Sequence, residues 1–436
     1  MHDVQSPSCC PTVRAAFRPL PASPSPPRAD FASSALVTDT WSFPRADALP
    51  TYAFVATDAI KAKAVAAGAD LIDLGLGNPD RPTPKAIVDQ LHLAADVGKN
   101  HRYHPGRGLP ALRKALCGWY ERRYHAGFDV DKEVLVTMGA KEGISHLCLA
   151  ILDRGDHAVV PDPCYPIHEG APAIAGAAVT GYAVKEGLEP AKAVADAMQR
   201  VERAGGKTKL VIANYPHNPT GFVISREALA ELVRVVQRAG AMLLHDAAYA
   251  DLDFSNRFAP SIFDCGIDRE EVKRFAVEVF SMSKSYNMPG WRIAFMAGNA
   301  RMVGALAHLK TYMDYGTFIP LQHAAAWALD HGDGLVDEIR NLYQARATTL
   351  TQGLAASGWG DVPEPSGSMF VWAKIPKKLA GMSALETTNF LIEKAHVAVS
   401  PGTGFGPGGE GFVRFALIED PPRVAEACRR IGVALG

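Results

Sequence analysis

The stretch F-S-M-S-K-S-Y-N-M-P-G-W-R-I-A-F, from Phe280 to Phe295, places a lysine at the end of a predicted buried strand. Lys284 follows the apolar run 275–280 and stands between two serines. Desolvation at the mouth of a strand lowers the pKa of an ammonium group, so that part of the amine is neutral and can attack an aldehyde. The stretch therefore indicates a nucleophilic lysine, while a solvated surface lysine stays open as the alternative.

The same stretch also offers the groups that bind a phosphate. Ser281 and Ser283 supply hydroxyl donors, and Arg292, eight positions after the lysine, supplies a planar and permanently charged fork. An aldehyde-reactive lysine beside a phosphate clamp indicates pyridoxal 5'-phosphate (PLP) as a cofactor. Short motifs produce false positives, so these residues alone do not require it.

Length and composition exclude several classes of protein. The 436 residues exceed the usual size of one domain, so we expect two. A net charge of −1 provides no field for nucleic acid or an anionic membrane, and no apolar run approaches the roughly 20 residues of a membrane helix. The seven cysteines contain no C-x-x-C pair and suit a reducing cytoplasm. Cys164 is interpreted as a small buried filler.

The first 46 residues differ in composition from the rest of the chain. Residues 1–30 are rich in Pro, Ser and Ala and contain three arginines and two acidic residues. A transit peptide has a related composition. However, the six prolines between positions 11 and 27 oppose the amphipathic helix of such peptides. We therefore expect 1–46 to be a disordered extension.

From about residue 50 onward, short apolar runs alternate with longer helical stretches. Such an alternation predicts an α/β fold with a doubly wound, mostly parallel sheet that helices cover on both faces. Ligands of such sheets bind at the carboxyl ends of the strands. The predicted strands are 71–74, 133–137, 158–160, 210–213, 241–244 and 276–280, and the predicted helices include 143–152, 190–204 and 227–238.

The pattern changes towards the end of the chain. A long helical region covers about 300–355, and apolar strands are predicted at 369–373, 397–400 and 412–416. These elements predict a second, smaller α+β domain.

Two charged residues stand where an uncompensated charge would be costly. Asp246, in H-D-A-A-Y-A-D, directly follows the predicted strand 241–244. Its carboxylate needs a partner such as a protonated pyridine nitrogen, although an N-cap of the next helix is the commoner role for Asp. Arg414 lies within the apolar strand F-V-R-F-A. A buried arginine needs an anion, so it forms either a structural ion pair or a receptor for a carboxylate.

Three further segments follow predicted strands, and each has an ordinary structural alternative. Asn218, in H-N-P-T-G, either contacts a ligand or closes a turn. The loop T-M-G-A-K-E-G contains Ala140 and Lys141 at a helix start, where free N–H groups attract an anion, but it lacks the full P-loop pattern that would make the motif specific. Tyr165, in D-P-C-Y-P, either stacks on a flat ring or packs in the core.

Two other patterns are rejected as functional signals. The glycine-rich run Pro401–Gly411 is predicted to connect two strands and contains Pro407, so it is not a dinucleotide-binding fingerprint. The 14 histidines show no metal-binding spacing, so no metal is expected, and His217 and His245 are interpreted as structural residues.

Taken in order, the motifs resemble those of fold-type I PLP enzymes, specifically the class I/II aminotransferases, from about Asp47 to the C-terminus. They look most like the bacterial glutamate–pyruvate (alanine) transaminase branch, beside which stand the LL-diaminopimelate aminotransferases. The matching motifs are G-N-P-D (77–80), Y-H-P-G-R-G (103–108), G-A-K-E-G, P-C-Y-P, H-N-P-T-G, H-D-A-A-Y, S-M-S-K-S-Y with G-W-R, D-Y-G-T-F (314–318), S-P-G-T-G-F-G and V-R-F-A.

The resemblance implies a role for each matched residue. Lys284 would bind the cofactor covalently and then move the proton, and Asp246 would keep the pyridine nitrogen protonated. Arg414, with Asn218 and Gly77, would bind the substrate. Tyr103 would reach the phosphate from the partner subunit of a homodimer. The other expected cofactor contacts are Tyr249 and Asn218 at the phenolic oxygen, Tyr165 on the ring, and Arg292, Ser281, Ala140 and Lys141 at the phosphate.

One departure from the family pattern concerns the phosphate. Many relatives carry a serine or threonine where Ala140 stands, so this hydroxyl contact is missing or is replaced by Lys141.

The resemblance also implies a large PLP-binding domain at 71–320, a small domain at 321–436 and a segment at 47–70 that joins the small domain. The expected reaction is a ping-pong transfer from L-alanine to 2-oxoglutarate in amino-acid metabolism. Three alternatives stay open: transamination of LL-diaminopimelate or another amino acid, a PLP lyase that eliminates a β- or γ-substituent, and a non-catalytic ligand sensor. The side-chain pocket is not assigned; Arg107 is only a guess for it.

Overall fold

The computed structural model describes residues 41–47, 49, 53–104, 106–185, 187–255 and 258–436. Within them the strands are β1 (Ile72–Asp73), β2 (Val134–Thr137), β3 (His157–Asp162), β4 (Ala178–Ala183), β5 (Thr208–Asn214), β6 (Met242–Asp246), β7 (Ala276–Ser281), β8 (Ala294–Gly298), β9 (Phe370–Lys374), β10 (Val397–Ala398), β11 (Ser400–Pro401) and β12 (Phe412–Ala416). The α-helices are α1 (Pro44–Asp47), α2 (Ala53–Ala66), α3 (Lys85–Ala95), α4 (Pro110–Tyr124), α5 (Ala140–Ile151), α6 (Ile167–Ala175), α7 (Pro190–Arg203), α8 (Arg226–Arg238), α9 (Arg269–Val272), α10 (Met282–Ser285), α11 (Ala300–Met313), α12 (Ile319–His331), α13 (Asp333–Ala356), α14 (Ala384–Phe390) and α15 (Pro421–Leu435).

The largest sheet among the described residues has seven strands in the order β2-β8-β7-β6-β5-β3-β4. Neighbouring strands from β7 to β4 are parallel, while β8 runs antiparallel to both β2 and β7. The predicted α/β class with a mixed, mostly parallel sheet is therefore confirmed. β4 and β8 were not predicted, because β4 (A-V-T-G-Y-A) is a half-exposed edge strand and β8 (A-F-M-A-G) contains no β-branched residue.

Helices cover both faces of this sheet, as the apolar strands predicted. Alternate residues of β5 face opposite ways: Val211 and Ala213 join the core beneath α4, α7, α8 and α12, whereas Leu210 and Ile212 join the core beneath α5, α6 and α11. Apolar side chains on both faces thus bury β5 and its neighbours β6 and β7, whose last residues are polar.

A second core surrounds the later strands. β11, β12 and β9 form an antiparallel sheet, and β1 pairs in parallel with β10. α13 and α15 pack against each other, and both contribute buried residues to this core. The glycine-rich run 401–411 connects β11 to β12 through two short 3-10 turns, in agreement with the rejection of a dinucleotide fingerprint.

The expected domain boundaries at 71 and 320 stay a prediction, and the two cores suggest an adjusted version of them. Residues 44–436 form one compact unit. Ile72 and Leu74 lie in the second core although the large domain was expected to start at 71, and Ala324 and Ala325 of α12 lie in the first core although it was expected to end at 320. We propose that the large domain covers about 75–332, because Ile72 and Leu74 then belong with the second core and Ala324 and Ala325 with the first.

The structure describes only part of the expected extension 1–46 and of the expected joining segment 47–70. Residues 1–40 of the expected disordered extension 1–46 lie outside the described residues. Pro44–Asp47, which overlaps its end, forms the helical turn α1 and packs against α6. α2, within the expected joining segment 47–70, packs against α14 and the π-helical turn Leu391–Ala395. No described helix is long and apolar enough to cross a membrane.

Candidate active site

A cavity of about 170 Å³ lies at the carboxyl ends of the central strands. Asn214, Asp246 and Ser281 are the last residues of the neighbouring strands β5, β6 and β7, so the parallel sheet brings their side chains to one edge. The remaining lining residues are Leu76, Gly77, Ala140, Lys141, Ile144, Tyr165, Asn218, Ala248, Tyr249, Ser283, Lys284, Pro289, Arg292, Phe370 and Arg414.

Lys284 lies in the single helical turn α10, which follows β7 directly. Its Nζ donates a hydrogen bond of 2.8 Å to the carbonyl oxygen of Gly77. Part of the side chain is accessible from the cavity, but the surrounding protein desolvates the amine, and Arg414 and Arg292 repel its charge. Together these effects lower the pKa of Lys284 from 10.5 to about 7. The alternative of a solvated surface lysine is therefore wrong.

Asp246 is buried beside a histidine that sequence reasoning missed. Its Oδ2 lies 2.8 Å from Nε2 of His168, and its Oδ1 accepts a hydrogen bond of 3.1 Å from the N–H of Ala248. Asp246 thus stabilises the following turn, but no helix begins there, so the N-cap alternative does not describe it. His168 is completely buried in α6. A lone histidine in an apolar helical stretch carries no sequence signal.

Two asparagines join residues that line the cavity through hydrogen bonds. Nδ2 of Asn218 donates to the hydroxyl of Tyr249 at 3.4 Å. Asn214 accepts from the N–H of Asn218 at 2.9 Å and donates to the carbonyl oxygen of Asp246 at 2.8 Å. Burial raises the pKa of the Tyr249 phenol above its usual range, so the phenol stays protonated at neutral pH. Asn214 ends the strand before H-N-P-T-G, and this position was the available signal for it.

The start of α5 and Arg292 form a cradle at the opposite end of the cavity. Gly139 has a φ of 90°, and a Cβ there would lie 2.2 Å from Nη2 of Arg292, so only glycine allows so close an approach. Ala140 and Lys141 begin the helix beside it, and Ser281 and Ser283 line the same cavity. Free N–H groups at a helix start, hydroxyls and a guanidinium together form an anion site.

Arg414 lies on β12, paired across the sheet with Ser400. Only 2% of it is exposed. Nη1 donates to Oδ1 of Asn218 at 2.9 Å, and Nη2 donates to the carbonyl oxygen of Gly75 at 3.0 Å. Ser400 also lies within 3.3 Å of Nη2. The guanidinium lines the cavity beside Asn218, and its fork of N–H donors suits a carboxylate.

Among the expected site residues, Tyr103 is not one of the described residues that line this cavity. Its side chain is 84% exposed, and its ring packs against Tyr315 with a centroid distance of 4.6 Å. The remaining expected residues, including Gly77 and Tyr165, all line the cavity. The guess about Arg107 is not supported, because its guanidinium donates to the carbonyl oxygen of Lys132, which lies outside this lining.

His217, His245 and Cys164 are all buried, which agrees with their interpretation as structural residues. Burial lowers the pKa of His217 to about 3, and its Nδ1 lies 2.8 Å from the hydroxyl of Thr220. His245 lies 2.8 Å from Glu278 within the core. Burial raises the pKa of the Cys164 thiol well above its ordinary value, which removes its nucleophilicity at neutral pH.

The groups of this cavity fit PLP. The cradle at Gly139 and Arg292 suits a phosphate, the buried Asp246 suits a ring nitrogen, and the amine of Lys284 suits an aldehyde. The hydroxyl of Tyr249 and the amide of Asn218 suit the phenolic oxygen. The fold and the site thus define a PLP-dependent enzyme.

Comparisons with known proteins agree. The family model of aminotransferase class I and II matches residues 69–431. The glutamate-pyruvate aminotransferase AlaC of Escherichia coli K12 is 44% identical over 393 residues, which cover 89% of this chain and 92% of the relative. An LL-diaminopimelate aminotransferase of Gloeobacter violaceus is 36% identical over 392 residues, 89% of this chain and 97% of the relative. The aspartate aminotransferase structure from Thermus thermophilus has a TM-score of 0.82 at 27% identity and covers 91% of this chain and 100% of that one.

The chain therefore belongs to the class I and II aminotransferase family, and its cofactor is PLP. Its substrates are amino acids and 2-oxo acids.

Proposed function

We propose that the enzyme transfers the amino group of L-alanine to 2-oxoglutarate, giving pyruvate and L-glutamate, by a ping-pong mechanism. The observation that carries the proposal is the 44% identity to a glutamate-pyruvate aminotransferase, against 36% to the LL-diaminopimelate aminotransferase of Gloeobacter violaceus. We also propose that the enzyme acts in the cytoplasm.

In this proposal the residues that line the cavity divide the binding and the chemistry among them. Bound PLP supplies a ring that accepts electrons from the substrate carbon. Asp246 holds the proton on the ring nitrogen, and Lys284, neutral near pH 7, accepts and returns the proton at the substrate carbon. Arg414, helped by Asn218, binds the substrate carboxylate. Tyr249 and Asn218 contact the phenolic oxygen of the cofactor, and Tyr165 packs against its ring. The phosphate is bound by Arg292, Ser281, Ala140 and Lys141.

A panel of amino donors with 2-oxoglutarate as acceptor tests the substrate assignment. We expect kcat/KM for L-alanine to exceed that for LL-diaminopimelate and methionine by at least roughly tenfold, because one apolar pocket contact discriminates by that order. Equal or higher values for LL-diaminopimelate would overturn the choice of alanine and favour the second candidate.

The lyase alternative is separated by a half-reaction in the same assay. The enzyme, first converted by L-alanine to its amine form, should return to the aldehyde form when 2-oxoglutarate is added. A lyase would instead release ammonia or thiol from a β- or γ-substituted amino acid without any 2-oxo acid. A protein that binds PLP and turns over no amino acid would support the ligand-sensor alternative.

We further propose a homodimer with shared active sites. Tyr103 and Tyr315 pack ring against ring and are 84% and 66% exposed. Tyr312 and Phe318, close to Tyr315 in the chain, are 82% and 46% exposed. We name these four side chains the aromatic surface patch. Exposed apolar side chains that gather in one region mark interaction sites. A second copy seated on the patch would bury it, and the partner subunit's Tyr103 would then complete the phosphate site.

Mixing two inactive variants tests this arrangement. Tyr103→Ala and Lys284→Ala are each impaired as homodimers. In a mixed dimer, one site combines an intact Lys284 with an intact Tyr103 from the partner. Random mixing of equal amounts should restore about a quarter of the wild-type activity, since half the dimers are mixed and each has one complete site. Activity no greater than that of the separate variants would contradict shared sites.

A further inference from the structure

The guanidinium of Arg414 is covered by two aromatic rings in addition to its hydrogen bonds. Its Cζ lies 4.0 Å from the ring centroid of Phe370 and 4.4 Å from that of Phe405. Both rings are buried. We name Phe370 and Phe405 the aromatic clamp. An arginine stacked on ring faces in a desolvated site gains a strong cation–π attraction.

The two rings reach Arg414 from different parts of the fold. Phe370 lies on β9, the strand paired with β12, and its ring also contacts that of Tyr249 at 5.7 Å between centroids. Phe405 ends the 3-10 turn Gly402–Phe405 in the glycine-rich run. Its carbonyl oxygen accepts a hydrogen bond of 2.6 Å from the N–H of Cys164, the residue before Tyr165. The run rejected as a nucleotide motif therefore brings an aromatic ring to the active site.

We propose that the aromatic clamp is a positioning device for substrate recognition, and that Phe405 is the positioning residue that the glycine-rich run contributes to it. The inference rests on the proposed role of Arg414 as receptor of the substrate carboxylate. When a carboxylate arrives, the Nη atoms must exchange the carbonyl oxygen of Gly75 for carboxylate oxygens. Contacts with the ring faces do not change during this exchange, so the clamp keeps the guanidinium plane in place and its edge available to the incoming group.

Two small molecules, each with only one of the two functional groups of an amino acid, test the clamp in the PLP-loaded enzyme. Propionate carries a carboxylate and no amine, and its affinity is measured by calorimetry. Ethylamine carries an amine and no carboxylate, and its binding is measured by the absorbance of the cofactor. We expect Phe405→Leu to weaken propionate binding roughly 5- to 30-fold, the range of one desolvated cation–π contact, and to leave ethylamine binding unchanged. Phe405→Tyr, which keeps the ring face, should retain most of the affinity for propionate.

Phe412→Leu is the matched control, because Phe412 stacks on Trp372 at 5.2 Å and Trp372 in turn contacts Phe405. It removes a neighbouring ring of the same cluster, and propionate binding should stay at the wild-type level. If Phe405→Leu weakens both probes equally, or leaves propionate binding unchanged, the clamp is overturned. If Phe405→Leu does not fold, propionate and ethylamine binding are measured with Phe370→Leu instead, and the same results are expected.

Arg414→Lys separates the clamp from the proposal on which it rests. If Arg414→Lys leaves propionate binding unchanged, Arg414 is not the carboxylate receptor, and the proposed role and the clamp both fail. If Arg414→Lys weakens propionate binding while Phe405→Leu does not, the receptor role stands and the clamp alone is overturned.

Discussion

Replacing Lys284 by alanine should lower kcat for transamination by on the order of 10⁴-fold or more. The substitution removes both the covalent attachment of the cofactor and the group that moves the proton, and positioned acid–base groups alone contribute about 10² to 10⁴. Single-turnover kinetics with L-alanine and enzyme loaded with PLP will measure the loss. The fold should remain intact, because the lowered pKa of about 7 shows that burial of this amine opposes its charged form.

The control for this prediction is a lysine of ordinary environment. Lys192 pairs on the surface with Asp196 at 2.8 Å, and Lys192→Ala should keep wild-type kinetics. An activity of Lys284→Ala within tenfold of the wild type would mean that another base moves the proton. The wild-type rate of PLP attachment should rise as the pH increases through about 7 and then level off, because the neutral amine is the reactive form.

Asp246→Asn should reduce kcat by roughly 10² to 10³, the usual cost of removing one preorganised electrostatic group from an active site. The amide keeps the size and the polar contacts of the carboxylate but lacks the negative charge that holds a proton on the ring nitrogen. Steady-state kinetics will measure the loss, and the absorbance of the bound cofactor will report its protonation.

The neighbouring strand offers a control of the same kind. Glu278 on β7 is buried against His245 at 2.8 Å, much as Asp246 is buried against His168, but it lies in the core and is not among the cavity-lining residues. Glu278→Gln should destabilise the fold by roughly 3 kcal/mol and leave kcat of the folded enzyme unchanged. If both variants lose activity to the same degree, the effect of Asp246→Asn arises from lost stability and its proposed charge role is wrong.

The sequence predicted the parallel part of the sheet well because one physical rule governs it. Strands buried on both faces are continuous apolar runs, and polar residues directly after such runs must gather at one edge. Asp246 and Ser281 were found in this way. β4 escaped prediction because it is a half-exposed edge strand of mixed composition. β8 escaped because it contains two alanines and a glycine, which are depleted in strands, and no β-branched residue.

Other parts of the site depend on tertiary packing and could not be predicted. His168 reaches Asp246 only because α6 packs against the sheet at β3 and β4, and the two residues are 78 positions apart in the chain. Phe405 reaches Arg414 through a glycine-rich turn whose path no periodicity describes. The boundaries at 71 and 320 stay predictions, since local patterns do not tell which core a helix will join.

The short segment Gly75–Gly77 has a consequence for turnover. Its first carbonyl oxygen, that of Gly75, accepts a hydrogen bond from Arg414. A substrate carboxylate that binds Arg414 therefore exchanges an existing hydrogen bond for new ones, and its net affinity is only the difference between them. A ping-pong enzyme must admit and discharge four different molecules through a single site. Modest net affinity lets each product leave before the next reactant enters, so the internal acceptors favour rapid throughput over tight retention.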